Sequence, residues 1–135
     1  MLHPDQYRVN EAWIAFKLNG GPIHTEQDGT LDVFALMDAA SCFVLAYAPV
    51  AAGGAGPGKA EANGLLRQAQ AQKQEWAKTL LLPEEAAVAG LAAEAGKQGM
   101  AVMRVPEEEL LPFIGEVREA FREHFEDGAA GGGQG

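Results

Sequence analysis

The chain contains a single cysteine, few basic residues and no long apolar run. One cysteine cannot form an internal disulfide, so nothing in the sequence indicates an oxidising compartment. No apolar stretch approaches the ~20 residues that cross a bilayer. The N-terminus lacks the basic-then-apolar order of a secretion signal. We therefore expect a cytoplasmic protein that has no membrane association.

The scarcity of basic residues argues against a nucleic-acid partner. Ten Lys and Arg face 19 Asp and Glu, which sets the formal net charge at −9. Affinity for nucleic acid depends largely on Lys and Arg contacts with phosphate, and the basic residues here are scattered without a run or stripe. The acidic surface is typical of a soluble globular protein.

The sequence is built around two apolar runs, Leu31–Met37 and Cys42–Val50, joined by the short segment Asp38–Ser41. Their Val, Phe and Tyr residues suit a pleated surface, and a short polar connection between such runs predicts a hairpin. Both faces of the first run carry apolar residues. We therefore expect this hairpin to be covered on both sides.

Further strands and three helices complete the predicted order, strand, strand, strand, helix, strand, helix, strand, helix. The additional strands are expected at Trp13–Leu18, Thr79–Leu82 and Met100–Val105, and the first two helices at about 60–78 and 84–99. The last helix carries the apolar stripe Leu110, Ile114, Val117, Phe121 and Phe125. Its Pro112 suits a first helical turn, so residues 107–111 are expected to form a separate short turn.

The predicted domain organisation is simple. Residues 1–126 are expected to form a single domain, because 135 residues suffice for one compact core. The glycine-rich segment 127–135 is expected to be a disordered tail.

The predicted order of elements resembles the ribonuclease H-like fold shared by integrases, transposases and many nucleases. The hairpin FALMDAASCFVLAY looks like the second and third strands of transposase cores. This resemblance implies an α/β architecture with a five-stranded mixed sheet and three helices, with the fourth strand crossing back onto the first. The segments WAKTLLLP, GMAVMRVPEEELLPFI and VREAFREHF are also similar to an uncharacterised prokaryotic domain family.

Active members of that fold place carboxylates within the first strand, at the end of the fourth and on the last helix. These carboxylates converge because two magnesium ions need several oxygen ligands. Here the first strand has Lys17 and no acidic residue, and the fourth ends in Glu84. We therefore expect a non-catalytic interaction or regulatory domain without a cofactor. The alternative is a magnesium-dependent nuclease or phosphoryl-transfer enzyme that uses Asp38, Glu84 and Glu116.

Three aspartates near the central hairpin could be imagined as a metal cluster, but each has a simpler explanation. Asp28 and Asp38 lie in or beside predicted turns, where an Asp side chain bonds to local backbone. Asp32 is expected to mark a strand end or to pair with Lys17 or Arg104. We predict no metal site.

The other residues with chemical potential are isolated. Cys42 is expected to be a small buried residue. The glycine-rich segment 53–59 lacks the Ser or Thr that follows Lys in a phosphate-binding loop, so it is interpreted as a flexible connector. The histidines have no metal-ligand spacing; they are His3, His24 and His124.

One feature predicts an interaction. In the implied sheet order, Phe43–Ala48 forms an edge strand, and an apolar edge strand without charges invites pairing with another chain. We predict a homodimer or a docked partner along Cys42, Phe43, Val44, Leu45, Ala46 and Tyr47. A weaker third hypothesis is a small-molecule binding module with its pocket at the strand ends.

Overall fold

The computed structural model describes residues 3–19, 23–26, 29–51, 56–84 and 88–123. These residues fold into a six-stranded mixed sheet and three helices. The strands are β1 (Ala12–Lys17), β2 (Ile23–Thr25), β3 (Gly29–Asp38), β4 (Val44–Ala51), β5 (Thr79–Pro83) and β6 (Ala101–Val105). The helices are α1 (Lys59–Lys73), α2 (Ala89–Lys97) and α3 (Glu107–Arg122).

The sheet has the strand order that the sequence predicts. β1 pairs antiparallel with β3, and β3 pairs antiparallel with β4. β5 then lies parallel to β1 on its other side, and β6 lies parallel to β5. The order β4-β3-β1-β5-β6 leaves β4 and β6 at the two edges, so the predicted α/β fold class and the edge position of the third predicted strand are confirmed.

The sheet contains a strand that the sequence did not predict. β2 pairs antiparallel with residues 29–31 at the start of β3. It lies on the same side of β3 as β1, which pairs with residues 34–38. Leu31 shows this arrangement, because it pairs with Ile23 on one side and with Ala51 of β4 on the other. Three residues between two turn signals are too few for an alternating pattern to be detected.

Two apolar layers enclose the sheet. α1 and α2 cover one face, where Trp13, Leu36 and Leu80 pack into the larger cluster. α3 covers part of the other face through Leu110, Phe113 and Ile114, which pack with strand residues such as Ile14, Phe16 and Leu81. β1 lies in the middle, and its residues Ala12–Phe16 are fully buried on both faces. This position explains why β1 is apolar throughout.

All three helices differ from their predicted bounds. α2 spans Ala89–Lys97 with its N-cap at Val88, whereas the sequence suggested a helix over 84–99. α1 ends at Lys73 because Gln74 adopts a left-handed conformation with φ 59°, so Trp76 lies beyond the helix. α3 begins directly after Pro106 and continues through Pro112, whereas the sequence suggested a separate turn over 107–111. Leu110 belongs to the same buried stripe as Phe113 and Ile114, and burial of this stripe compensates for the hydrogen bond that Pro112 cannot donate.

Some predictions fall outside the described residues. They are the tail at 127–135, His124, Phe125 of the predicted apolar stripe, Asp28 and residues 53–55 of the glycine-rich connector. Within the described ranges, none of the helices combines the length and the apolar character that a bilayer crossing requires.

Candidate functional site

The candidate site is the free edge of β4. Among the described residues, β4 pairs with β3 alone. One face of β4 packs under α1, where Leu45, Ala46 and Val50 join the larger core cluster. The opposite face, which α3 leaves open at this position, carries exposed Tyr47 and Pro49.

The backbone of β4 points hydrogen-bonding groups toward this free edge. The amide and carbonyl of Val33 bond to Asn19 and Leu18, on the side of β3 that faces away from β4. Backbone groups alternate in direction along β3, so the N–H and C=O of Ala35 also point away from β4. Tyr47 is paired with Ala35, and its own N–H and C=O therefore point away from β3, toward the free edge. Pro49 points outward as well, but it offers only a carbonyl, as expected for a proline in an edge strand.

The six residues that the sequence assigned to an interface contribute differently. The side chains of Phe43 and Tyr47 are 59% and 65% exposed, the largest aromatic exposures in the described chain. Leu45 and Ala46 are buried, because a β-bulge opposite Leu36 turns both toward α1. Cys42 and Val44 are half-buried against the α3 side of the core. The available surface therefore consists of two aromatic side chains and the outward backbone.

Asp38 organises the turn that leads into β4. Its carboxylate is fully buried and accepts three hydrogen bonds, from the backbone N–H of Asn10 at 2.6 Å, the N–H of Ser41 at 2.9 Å and the Ser41 hydroxyl at 2.7 Å. Asn10 has a φ of 64° and accepts a bond from the Trp13 indole. Asp38 thus joins the entry to β1 to the β3–β4 turn, which extends the expected turn role.

The three acidic residues of the enzymatic alternative do not converge. Asp38 of β3 pairs with Trp13 of β1, and Trp13 pairs with Leu80 near the start of β5. Glu84 follows the opposite end of β5. Standard strand spacings separate Asp38 from Glu84 by about 16 Å, and ligands of one ion lie within about 2.5 Å of it. Burial raises the pKa of the Cys42 thiol, and the charges of Asp38 and Glu116 raise it further.

A cation occupies the end of the sheet where the fold resemblance implies carboxylates. Arg118 of α3 donates from Nε to the Lys17 carbonyl at 3.0 Å and from Nη2 to a Glu107 carboxylate oxygen at 2.7 Å. Its guanidinium also lies 5.8 Å from the centre of the Phe16 ring. The Glu107 carboxylate balances this positive charge, and the guanidinium occupies the space beside the end of β1. No local pattern marks Arg118, because its partners lie far away in the sequence.

The remaining candidates have structural partners. Asp32 accepts a hydrogen bond from the Asn19 side chain at 3.0 Å, so the predicted pairing with Lys17 or Arg104 is wrong. His3 caps the short 3₁₀ turn at Pro4–Gln6, and Nδ1 of His24 lies 3.1 Å from the Thr30 hydroxyl. No group of three His, Cys, Asp or Glu side chains in the described ranges has an arrangement that could hold a metal ion.

The start of α1 already has an internal anion. The carboxylate of Glu61 accepts a hydrogen bond from the backbone N–H of Gly58 at 2.8 Å, at the N-terminus of the helix. A phosphate would need this same position. Its occupation agrees with the interpretation of the glycine-rich segment as a connector, although residues 52–55 lie outside the described part of the chain.

No family model matches the sequence, and no curated protein matches it. Among solved structures, 65 chains match. One of them is the crystal structure of the catalytic core domain of BIV integrase in crystal form I. It has a TM-score of 0.50 and 9% sequence identity, and the match covers 87% of this chain and 68% of that chain.

At this level of identity the likeness shows the fold alone. The chain has the ribonuclease H-like fold of integrase catalytic cores, as the order of its elements predicts. The similarity to an uncharacterised prokaryotic domain family stays a prediction.

Proposed function

We propose that residues 1–126 form a single, non-catalytic protein-interaction domain of the cytoplasm, which self-associates along the free edge of β4. The observation that carries this proposal is the outward backbone of β4 at Tyr47 and Pro49, beside the exposed side chains of Phe43 and Tyr47. Added strands gain affinity from main-chain hydrogen bonds at such edges. The proposed partner is protein, not nucleic acid, because the net charge is −9.

The distribution of charge supports self-association at this edge. Two copies of a protein with a net charge of −9 repel each other, and the repulsion is weakest where the contact surfaces carry no charge. The chain has no charged residue from Ala39 to Gly58, a segment that includes all of β4. An uncharged apolar edge is a recognised site of pairing between chains.

The proposal assigns no reaction to the chain. Arg118 fills the end of the sheet where ligands for a metal would converge, and Glu84 lies far from Asp38. The alternative, a magnesium-dependent nuclease or phosphoryl-transfer enzyme, requires Asp38, Glu84 and Glu116 to share an ion. Magnesium that binds the folded state would raise the melting temperature. If magnesium raised the melting temperature of the wild type but not of Glu116→Gln, the result would favour the enzymatic alternative.

Sedimentation velocity over a range of protein concentrations tests the self-association. One short edge buries less area than a standard interface, so we expect dimers only at micromolar concentrations or above. Tyr47→Lys should weaken dimerisation by about tenfold or more, because it places two like charges at the joined edge. Val9→Lys, at a side chain outside β4 that is 61% exposed, is the control.

Two results would contradict the proposal. One is a wild-type protein that remains monomeric at high micromolar concentration. The other is a Tyr47→Lys variant that dimerises as well as the wild type. Thermal unfolding of each variant establishes that the fold is intact, which we expect because both side chains are exposed.

A further inference from the structure

The sheet has a second open edge, β6, and the two edges differ in three respects. β4 has eight residues and β6 has five. β4 lies in the uncharged segment, whereas β6 contains exposed Arg104. β4 and the residue that precedes it carry two exposed aromatic side chains, Tyr47 and Phe43, whereas the large apolar side chain exposed on β6 is Met103, at 49%.

These differences decide which pairings are favourable. A charged residue on an edge strand opposes pairing, and docking another strand beside Arg104 would remove water from its guanidinium at a cost. β4 carries no charge, and its obstacles are milder: the bulge opposite Leu36 and Pro49, which lacks one donor. β4 is therefore the better partner for β4, and β6 is the poorer one.

Resting on the proposed self-association, we infer that the partner strand is the β4 strand of a second copy, antiparallel and related by a two-fold axis, and that assembly stops at two. A two-fold axis perpendicular to the sheet presents the same strand to itself in the antiparallel direction, so each copy supplies the donors and acceptors that the other needs. The result is a continuous sheet of twelve strands with both α3 helices on the same face.

Closure follows from the symmetry. A contact between β4 and β6 of another copy would leave one unused edge of each kind, so it would add copies without limit. A contact between two β4 strands uses both of these edges at once and leaves only the β6 edges at the ends. Accumulation of negative charge also opposes growth beyond two copies.

The decisive experiment mixes two variants, each altered at one edge. Tyr47→Lys impairs β4 and leaves β6 intact, whereas Met103→Lys impairs β6 and leaves β4 intact. Both replace an exposed apolar side chain by lysine, so they are matched. A fluorescent label on the Tyr47→Lys variant allows its sedimentation to be followed alone and in the mixture.

We expect Met103→Lys alone to dimerise like the wild type, and labelled Tyr47→Lys alone to sediment as a monomer. A monomeric Met103→Lys would overturn the inference, and a heterodimer of that monomeric variant with Tyr47→Lys would then show β4–β6 pairing. Wild-type assemblies that grow beyond two copies with concentration would overturn it as well. In both cases self-association through β4 would stand, whereas a monomeric wild type would contradict the proposed function itself.

Discussion

At the scale of single residues, buried polar side chains hold the turns of this protein in place. Asp38 is fully buried and has no cationic partner among the described residues, so its stability depends on the three hydrogen bonds from Asn10 and Ser41. A buried carboxylate that accepts several hydrogen bonds is a structural element that resists replacement. Asp38 is therefore best understood as the connection between β1 and the β3–β4 turn.

Replacement of Asp38 tests this role. Asp38→Ala should lower the free energy of unfolding by about 2–4 kcal/mol, because it leaves three donors without their acceptor. Glu116→Ala is the control, since Glu116 is exposed on α3, and its effect should stay within about 0.5 kcal/mol. Chemical denaturation measures both. Equal stability of Asp38→Ala and wild type would contradict the structural role.

Glu94 of α2 is the second buried acidic residue, with its side chain 5% exposed. It accepts hydrogen bonds from Lys97 at 2.8 Å and from Asn63 of α1 at 3.3 Å. The Lys97 hydrogen bond lowers the pKa of Glu94, and the Asn63 bond acts in the same direction against the opposing effect of burial. The residue thus ties α2 to α1 by way of an ionised carboxylate.

The lowered pKa predicts a pH dependence. A carboxylate with a depressed pKa in the folded state stabilises the protein above its unfolded pKa of about 4.3, and this contribution is lost as the pH falls through the folded value. Glu94→Gln should therefore destabilise the protein at pH 7, and its difference from wild type should shrink below about pH 4.

Urea denaturation at neutral and acidic pH measures this difference. Glu119→Gln is the matched control, because Glu119 forms an exposed pair with Arg122, and exposed pairs contribute little. If the difference in the free energy of unfolding between wild type and Glu94→Gln grew on acidification, the predicted direction of the pH dependence would be wrong.

At the scale of elements, α3 shows how burial overrides local preference. Pro112 removes a hydrogen bond inside the helix, yet the helix runs from Glu107 to Arg122 without interruption. The reason is the stripe Leu110, Phe113 and Ile114, which is buried to within 1% exposure and covers β1 and β5. Burial of three such side chains contributes about 5–9 kcal/mol before entropy is subtracted.

Truncation of a buried side chain in the stripe should lower the free energy of unfolding strongly, whereas truncation of an exposed side chain beside it should not. Phe113→Ala is expected to lower the free energy of unfolding by about 3–5 kcal/mol, because it leaves a cavity between α3 and the sheet and removes the contact with Tyr7. Leu111→Ala, at a side chain that is 48% exposed on the same helix, should change it by less than about 0.5 kcal/mol. Guanidinium denaturation of both variants measures the difference, and equal effects would contradict the assigned orientation of α3.

β4 has two functions within one strand. Strict alternation would place Phe43, Leu45 and Tyr47 on one face. The bulge opposite Leu36 instead turns both Leu45 and Ala46 toward α1, so that Tyr47 returns to the open face. The strand therefore anchors the larger core cluster and still presents an aromatic side chain at its free edge.

At the scale of the whole molecule, the mixed sheet and the negative charge act together. β1 is buried at the centre, so the fold has its most apolar strand where both faces are covered. The net charge of −9 makes copies repel each other, and this repulsion is weakest where the uncharged segment that contains β4 forms the contact. The overall charge thus directs association to one edge without any specific ion pair.

Much of this architecture is determined by the sequence alone. The apolar runs, the proline and glycine breaks and the stripe of α3 are local patterns that predict the elements, and the resemblance of their order to the ribonuclease H-like fold implied the sheet order β4-β3-β1-β5-β6. The uncharged character of the edge strand is also visible directly in the sequence.

Only the tertiary structure decided how the polar groups are used. Arg118 reaches Lys17 and Glu107, Asp38 accepts a bond from Asn10, and Asp32 pairs with Asn19 in place of a cation. The bulge in β4 and the short strand β2 belong to the same category. Each of these features depends on groups brought together when strands and helices dock, and a local period in the sequence carries no information about such contacts.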